Sequence, residues 1–180
     1  MAWNTPITWQ VNQLVTETDL NAQVRDNLAY LKERVDAPAS GSYLLNESAD
    51  YSTSSTSFVD VDSTKLSFTL TTRGNAIMIS FFGTASANTA TESVAYFDVT
   101  MDGVRVGGDD GLALVARKSG SGGSLTSGTV SFMMLLPTVS AGDHTFRLQW
   151  KISGAAMSLR AGAGTAGLDM HGQFWVREMS

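Results

Sequence analysis

The feature that most constrains the fold of this chain is a strict alternation of apolar and polar residues in two segments, 65–71 and 145–152. A period of two places every second side chain on the same face of an extended strand. One apolar and one polar face are typical of antiparallel strands that bury a single face. The apolar positions of the two segments are Leu66, Phe68, Leu70, Phe146, Leu148, Trp150 and Ile152.

Further strands and turns predict the fold class. Residues 94–101 and 104–106 are predicted strands joined by Asp102-Gly103, a dipeptide strongly favoured in two-residue hairpin turns. Strands are also predicted near 58–61, 157–160 and 172–178. Many strands with short turns and a single helix predict a mainly β fold. We therefore expect an antiparallel β-sandwich or jelly roll over residues 42–180, after a short linker at 39–42 and one N-terminal α-helix.

Two segments, 77–82 and 130–136, are apolar at both alternating positions. An antiparallel sandwich packs one face of each sheet on the core, so a second apolar face needs a second cover. A loop or the helix of the same chain is one possible cover. The alternative, which we favour, is an interface between subunits.

The predicted helix begins at Thr16, a good N-cap residue, with Asp19 three positions later in the manner of a capping box. It ends at Asp36-Ala37-Pro38. Spacings of four, four, three and four place one apolar stripe on it. The residues of the stripe are Leu20, Val24, Leu28, Leu31 and Val35.

The stripe also fits a heptad pattern, with Asn21, Leu28 and Val35 at a positions and Val24 and Leu31 at d positions. An isolated helix of this length is marginal in water, so another surface must cover the stripe. Packing on the chain's own β domain is one interpretation. Oligomerisation is the other, and it assigns subunit contacts to Val24, Leu28, Leu31 and Val35.

Residues 1–15 have no strand or helix pattern but contain two tryptophans, Trp3 and Trp9, on either side of Pro6. Indole rings are costly to leave in water and are enriched at interfaces. The tryptophans either pack on the protein's own body or dock onto a neighbouring protein. In the second interpretation residues 1–38 form an attachment arm followed by an oligomerisation helix, and Trp3, Pro6 and Trp9 make the attachment.

Composition excludes several classes of function. The net charge is −5, and the longest basic run is Arg117-Lys118, so we expect no nucleic-acid partner. The chain has no cysteine, which excludes disulfides and thiolate metal sites. The longest strongly apolar run, residues 132–136, is too short to insert into a membrane, and the N-terminus lacks the features of a signal peptide. We expect a protein made in a cytoplasm.

No motif predicts catalysis, a cofactor or a metal. His144 and His171 are not part of a metal-spaced pair. Residues 162–167 match G-x-G-x-x-G formally, but no βαβ unit surrounds them. Residues 107–111 are interpreted as a polar turn, with a contribution to a weak calcium site as the less favoured alternative. We therefore expect a protein that is not an enzyme.

The opening Trp3-Asn-Thr-Pro-Ile-Thr-Trp9 and the helix over 15–31 resemble a recurrent opening of tailed-bacteriophage virion structural proteins. In those proteins a Trp-x-x-Pro head leads to a helix carrying the run found here as Val24-Arg-Asp-Asn-Leu28. The end of the chain, 172–178, resembles their aromatic final strand. The middle is similar only to a generic jelly roll, such as the trimeric tumour-necrosis-factor-like (TNF-like) domains of phage fibres and decoration proteins.

The resemblance implies a virion protein of the tail, fibre or capsid-decoration type, with no catalytic residues to carry over. Our first hypothesis is a non-enzymatic structural protein anchored by its N-terminal segment, assembled as a homotrimer and bound to other virion proteins. The alternative is an adhesin that binds a host-receptor glycan or surface protein through loops 107–111, 119–128 and 161–167. A tail-spike depolymerase is disfavoured because no acid–base pair of carboxylates is legible.

Overall fold

The computed structural model describes residues 3–36, 38–87, 92–117, 126–164 and 166–179. Backbone contacts divide the chain into two compact units, residues 1–38 and residues 39–179, hereafter the N-terminal unit and the β unit. The helical segment of the N-terminal unit consists of α1 (Glu17–Leu20), a π-helical stretch (Asn21–Asp26) and α2 (Asn27–Asp36). The described strands of the β unit are β1 (Ser40–Leu44), β2 (Tyr51–Thr53), β3 (Val59–Asp60), β4 (Ser67–Arg73), β5 (Ile77–Ala87), β6 (Ser93–Met101), β7 (Val104–Arg105), β8 (Ala113–Arg117), β9 (Thr126–Leu136), β10 (Ala141–Ser153), β11 (Met157–Leu159) and β12 (Gln173–Glu178).

The start of the helix is fixed by the predicted capping box. The Thr16 hydroxyl accepts a hydrogen bond from the Asp19 amide at 3.1 Å, and the Asp19 carboxylate accepts one from the Thr16 amide at 3.1 Å. Two of the amide groups that a helix start leaves free are therefore satisfied. The prediction of Thr16 as N-cap is confirmed, and the helix ends at Asp36 as expected.

The expectation of one regular α-helix is wrong at Asn21–Asp26, which is π-helical. A π turn takes up one residue more than an α turn, so it changes the direction in which later side chains point. The regular spacing assumed in the heptad assignment of Asn21 and Val24 is therefore interrupted by this π-helical stretch, which ends just before Leu28.

The β unit is a sandwich of two antiparallel sheets. The first sheet has the order β9, β5, β12, β1, and the short strands β11 and β2 extend it beside the far end of β5. The second sheet has the order β4, β10, β6, β8, with β3 also pairing with β10 and β7 with β6. Several neighbours within the sheets are distant in sequence, such as β5 with β12 and β4 with β10, as the crossing connections of a jelly roll require. The predicted fold class is confirmed.

The core lies between the sheets and is built from the alternating positions that the sequence identified. Phe146, Leu148, Trp150 and Ile152 are all buried on the inner face of β10. Phe81 of the first sheet stacks on Phe97 of the second at 5.4 Å between ring centroids, and Phe97 meets its neighbour Trp150 in the second sheet at 5.9 Å. Such contacts add to the stabilisation from apolar area alone.

The hairpin predicted at Asp102-Gly103 joins β6 to β7. Both turn residues have positive φ, 53° at Asp102 and 81° at Gly103. Two positive φ angles are the requirement of a type I′ turn, whose twist matches that of the flanking strands. This prediction is confirmed.

The linker expected at residues 39–42 is wrong, because Ser40–Leu44 is strand β1, paired with β12 through partners such as Gly41 and Val176. The small polar residues of β1 give no alternation signal in the sequence. Their size is a packing requirement, since a Cβ on Gly41 would lie 2.7 Å from Cγ of Phe68. The strands β2 and β8 were also not predicted.

Candidate functional site

The sequence-predicted attachment arm lies along the helix and is held there by side-chain amides. Asn27 pairs with the backbone of Asn4 through two hydrogen bonds: its Oδ1 accepts from the Asn4 amide at 2.8 Å, and its Nδ2 donates to the Asn4 carbonyl at 3.0 Å. Gln23, one turn earlier, accepts from the Ile7 amide at 3.1 Å and donates to the Thr5 carbonyl at 3.3 Å. Each side-chain amide thus makes the hydrogen bonds to the arm backbone that a neighbouring β-strand would otherwise make.

Two further contacts fix the direction of the arm. Asn4 Nδ2 donates to the Ala22 carbonyl at 3.0 Å, and the Trp3 ring meets the Tyr30 ring at 5.8 Å between centroids. The arm therefore runs antiparallel to the helix. The set Asn4, Gln23 and Asn27 will be called the amide clamp. Sequence reasoning missed it, although the spacing of four between Gln23 and Asn27 places both amides on one helix face.

The predicted oligomerisation residues are exposed. Val24, Leu28, Leu31 and Val35 are between 46% and 74% exposed, and Leu20 is 51% exposed. Among the described side chains of residues 3–36, Asn27 alone is buried, at 5%. The helix thus uses polar amides for its contact with the arm and leaves its apolar stripe in water, the reverse of the usual arrangement.

The predicted attachment residues are also accessible. Trp3 is 46% exposed, Trp9 is 39% exposed, and Pro6 between them is exposed. Pro6 has no amide hydrogen, and Gln23 bonds the residues on either side of it. The clamp therefore holds the arm backbone while much of each indole stays free to contact another molecule.

The β unit has an apolar surface of its own on the outward side of the first sheet. Segments 77–82 and 130–136 are apolar at both alternating positions, and their outward side chains lie there next to outward residues of β1 and β12. We call this the outer apolar face, made of Leu44, Met78, Phe82, Met133, Leu135 and Trp175. Four of these, Leu44, Phe82, Met133 and Leu135, are between 45% and 71% exposed. Within the described part of the β unit, no loop, one of the expected covers, buries these four side chains.

A Ser–His–Asp cluster that the sequence did not suggest lies at the edge of the second sheet. His144 Nδ1 is 2.7 Å from the Asp102 carboxylate, and Nε2 is 3.0 Å from the Ser140 carbonyl and 3.2 Å from its hydroxyl. The hydrogen bond to Asp102, with smaller contributions from Ser140, raises the pKa of His144 above its usual value. Nε2 lies closer to the Ser140 carbonyl than to its hydroxyl, so His144 is not dedicated to that hydroxyl as the histidine of a catalytic triad is. This cluster ties two turns together.

A polar pocket opens on the outward side of the second sheet. It has a volume of about 270 Å³ and is lined by Thr56, Tyr96, Asp110, Lys151 and Ser153. We call it the Tyr96 pocket. Loop 107–111, one of the predicted binding loops, contributes Asp110 to it. Most of loop 119–128 and one residue of loop 161–167 lie outside the described residues.

The described residues contain neither a candidate metal site nor a candidate membrane-spanning helix. No group of three or more His, Asp or Glu side chains in the described ranges is placed to hold a metal ion. No helix in the same ranges has the length and apolar character needed to cross a lipid bilayer.

No protein-family model matches the sequence, and no curated protein matches it. Among solved structures, the chain is similar to Eiger TNF from S. frugiperda, with a TM-score of 0.46 and 11% identity over 80% of this chain and 94% of that chain. It is also similar to the globular domain of zebrafish complement 1qA protein, with a TM-score of 0.41 and 16% identity over 80% of this chain and 98% of that one. The fold assignment given above rests on the strand pairing itself.

Proposed function

We propose that this protein is a non-enzymatic structural component of a tailed-bacteriophage virion, in the tail or fibre apparatus or on the capsid surface. The observation that carries the proposal is the construction of the N-terminal unit. Its amide clamp orders the arm, while nearly all of its apolar side chains remain exposed. A segment that is ordered but has no apolar core of its own is suited to completion by another protein.

The residues of the clamp fall within the sequence that resembles the virion-protein opening. Asn4 follows Trp3 in the Trp-x-x-Pro head, and Asn27 is the asparagine of the Val24-Arg-Asp-Asn-Leu28 run. The hydrogen bonds between Asn4 and Asn27 give a physical reason for these two motifs to occur together. These hydrogen bonds support the interpretation that the arm and the helix form one structural element.

Self-association is the first part of the proposed role, and we propose a homotrimer. The stripe of Val24, Leu28, Leu31 and Val35 supplies one apolar surface, and the outer apolar face supplies another. Burial of exposed Leu, Met and Phe side chains stabilises by about 25 cal/mol per Å² of apolar area removed from water. Exposed patches of this kind mark interaction sites in soluble proteins.

Attachment to other virion proteins is the second part, with Trp3, Pro6 and Trp9 as contacts. The clamp lowers the entropy cost of ordering the arm when it binds, since residues 4–7 are already positioned. Half-exposed tryptophans on an ordered backbone are the type of side chain that dominates interface energetics.

The assignment as non-enzymatic is supported by the His144 cluster, the described arrangement most similar to a catalytic triad. Its imidazole is engaged on both nitrogens, and Nε2 is closer to the Ser140 carbonyl than to the hydroxyl. The Ser140 carbonyl thus competes with the hydroxyl for Nε2, which disfavours activation of the hydroxyl as a nucleophile.

The proposal is tested by deleting residues 2–14 and measuring both folding and incorporation into purified phage particles by quantitative mass spectrometry. We expect a truncated protein with unchanged β-type circular dichroism that is depleted at least tenfold from particles. Gln10→Ala, a change within the arm outside the proposed anchors, is the matched control and should incorporate normally. Normal incorporation of the truncated protein would refute the anchor.

The second candidate function is an adhesin that binds a molecule of the host surface. One observation favours it, the Tyr96 pocket beside loop 107–111. The two functions are compatible, because they use different units of the chain.

A further inference from the structure

The Tyr96 pocket has rigid walls because its cationic side chain is held between two aromatic rings. The Lys151 ammonium lies 4.9 Å from the centroid of Phe58 and 4.9 Å from that of Tyr96. It also donates to the Asp109 carbonyl at 2.9 Å and lies 3.3 Å from the Asp110 carboxylate. These contacts fix a long side chain that would otherwise sample many rotamers.

Arg105 also contacts Phe58, because its guanidinium carbon lies 3.9 Å from the ring centroid. Arg105 donates to the fully buried Asp98 carboxylate at 2.6 Å. Arg105, Phe58, Lys151 and Tyr96 are thus connected by successive cation–ring contacts, and these four residues will be called the stack.

Loop 107–111 is held against this stack by backbone contacts. The Gly107 amide donates to Asp98 at 2.9 Å, and the Gly111 amide donates to the Gly108 carbonyl at 3.0 Å. Gly111 has φ of +79°, and a Cβ there would lie 2.5 Å from the Phe97 carbonyl oxygen. The loop can take this path only with glycine at that position, and it presents Asp110 at the pocket rim with its side chain 75% exposed.

The lining offers a mixed set of polar groups without an excess of charge. Thr56 and Ser153 supply hydroxyls, Asp110 supplies an acceptor and Lys151 supplies donors, while Tyr96 adds an aromatic ring. The carboxylate of Asp110 balances the ammonium of Lys151, so the pocket does not favour an anion. Its volume of about 270 Å³ lies below the range of about 300–1,000 Å³ that drug-sized ligands occupy.

We propose that the Tyr96 pocket binds one residue of a neutral saccharide. A sugar ring has hydroxyls that both donate and accept, which matches the lining, and C–H groups that can pack on Tyr96. The proposal rests on the adhesin function and is independent of the virion anchor. Several copies of the pocket in one assembly would strengthen the binding of a repeating saccharide through avidity.

The test is saturation-transfer NMR of the full-length protein with four separate probes: D-glucose, D-galactose, N-acetyl-D-glucosamine and L-rhamnose. We expect signal transfer to at least one of them, and at least tenfold weaker binding of that sugar by Asp110→Ala and by Tyr96→Ala. Asp109→Ala is the matched control, because its side chain does not line the pocket, and it should bind as the unaltered protein does. Circular dichroism checks that each variant is folded, and Asp110→Ala serves as the deciding variant because its side chain is exposed.

Three results would overturn the proposal: no transfer to any of the four sugars, equal binding by Asp110→Ala and the unaltered protein, or tighter binding of D-glucuronate than of all four neutral sugars. The last result would show an anion site. Particle incorporation is not measured in this experiment, so its failure leaves the virion role standing, and failure of the anchor leaves the saccharide site standing.

Discussion

Single side-chain amides decide the structure of the N-terminal unit. Asn27 is buried in a segment whose apolar residues are exposed, and both polar atoms of its amide are bonded to the Asn4 backbone. A buried amide that lost its partners would carry a desolvation penalty, so the two residues stabilise each other's position.

We predict that Asn27→Ala releases the arm without unfolding the β unit. Two hydrogen bonds are lost, each worth about 1 kcal/mol, so the arm opens more often. Limited proteolysis should cut between residues 3 and 12 at least several-fold faster, while the midpoint of β-unit unfolding stays unchanged. Asn21→Ala on the same helix is the control. Unchanged proteolysis of Asn27→Ala would show that the clamp does not hold the arm.

The pair His144–Asp102 makes stability depend on pH. The hydrogen bond to Asp102 raises the pKa of His144. The contribution of His144 to the stability of the fold is therefore complete below the ordinary pKa of 6.5 and is lost as pH rises through the raised pKa. The Thr145 amide and His144 lower the pKa of Asp102, so its contribution is present above 3.8 and is lost as pH falls through the lowered value. The His144–Asp102 pair therefore stabilises the fold most between pH 3.8 and pH 6.5.

We predict that Asp102→Asn reduces the loss of stability between pH 5.5 and pH 8.5. Asparagine also tolerates the positive φ of this turn, so the hairpin is preserved and the carboxylate alone is removed. Urea unfolding of both proteins at the two pH values is the measurement, and Asp109→Asn is the control. An equal pH dependence of stability in Asp102→Asn and the unaltered protein would show that His144 does not cause it.

At the scale of elements, the sequence predicted what depends on local pattern. The strands around 65–71 and 145–152 follow from alternation, and the helix start follows from Thr16 and Asp19. Strand β1 did not follow, because its small residues give no alternation signal and the glycine at position 41 is required by close approach of the distant Phe68.

The candidate site was predicted only in part, because contacts between residues distant in sequence leave no local pattern. The exposed stripe and the tryptophans are visible as apolar residues at particular spacings. The amide clamp joins residues 23 apart, and the Tyr96 pocket combines residues from four separate parts of the chain. Polar side chains give no periodic signal, so contacts of this kind become visible only when the fold brings them together.

We predict that Leu28→Asp separates subunits while the β unit stays folded. A charge in a buried apolar contact costs several kcal/mol, and the side chain of Leu28 is 60% exposed in the isolated chain. Size-exclusion chromatography should show a smaller species with unchanged β-type circular dichroism. Val11→Asp, an exposed apolar position outside the stripe, should leave assembly intact. Loss of β structure in Leu28→Asp would instead show that the stripe is needed for the folding of a single chain.

The whole molecule has a well-buried core between the sheets of the β unit and an exposed apolar surface on each of its two units. The inner faces of both sheets are closed, whereas the helix stripe and the outer apolar face remain in water. A charged fraction of 16% leaves few groups to solvate such surfaces. An assembly of several copies accounts for both features.

The mass of the full-length protein in solution tests this account most directly. Multi-angle light scattering at micromolar concentration should give three times the chain mass of 19.2 kDa, and the double change Leu28→Asp with Met133→Lys should reduce it to one chain. A single-chain mass for the unaltered protein would contradict the central claim that these exposed surfaces assemble copies of the chain.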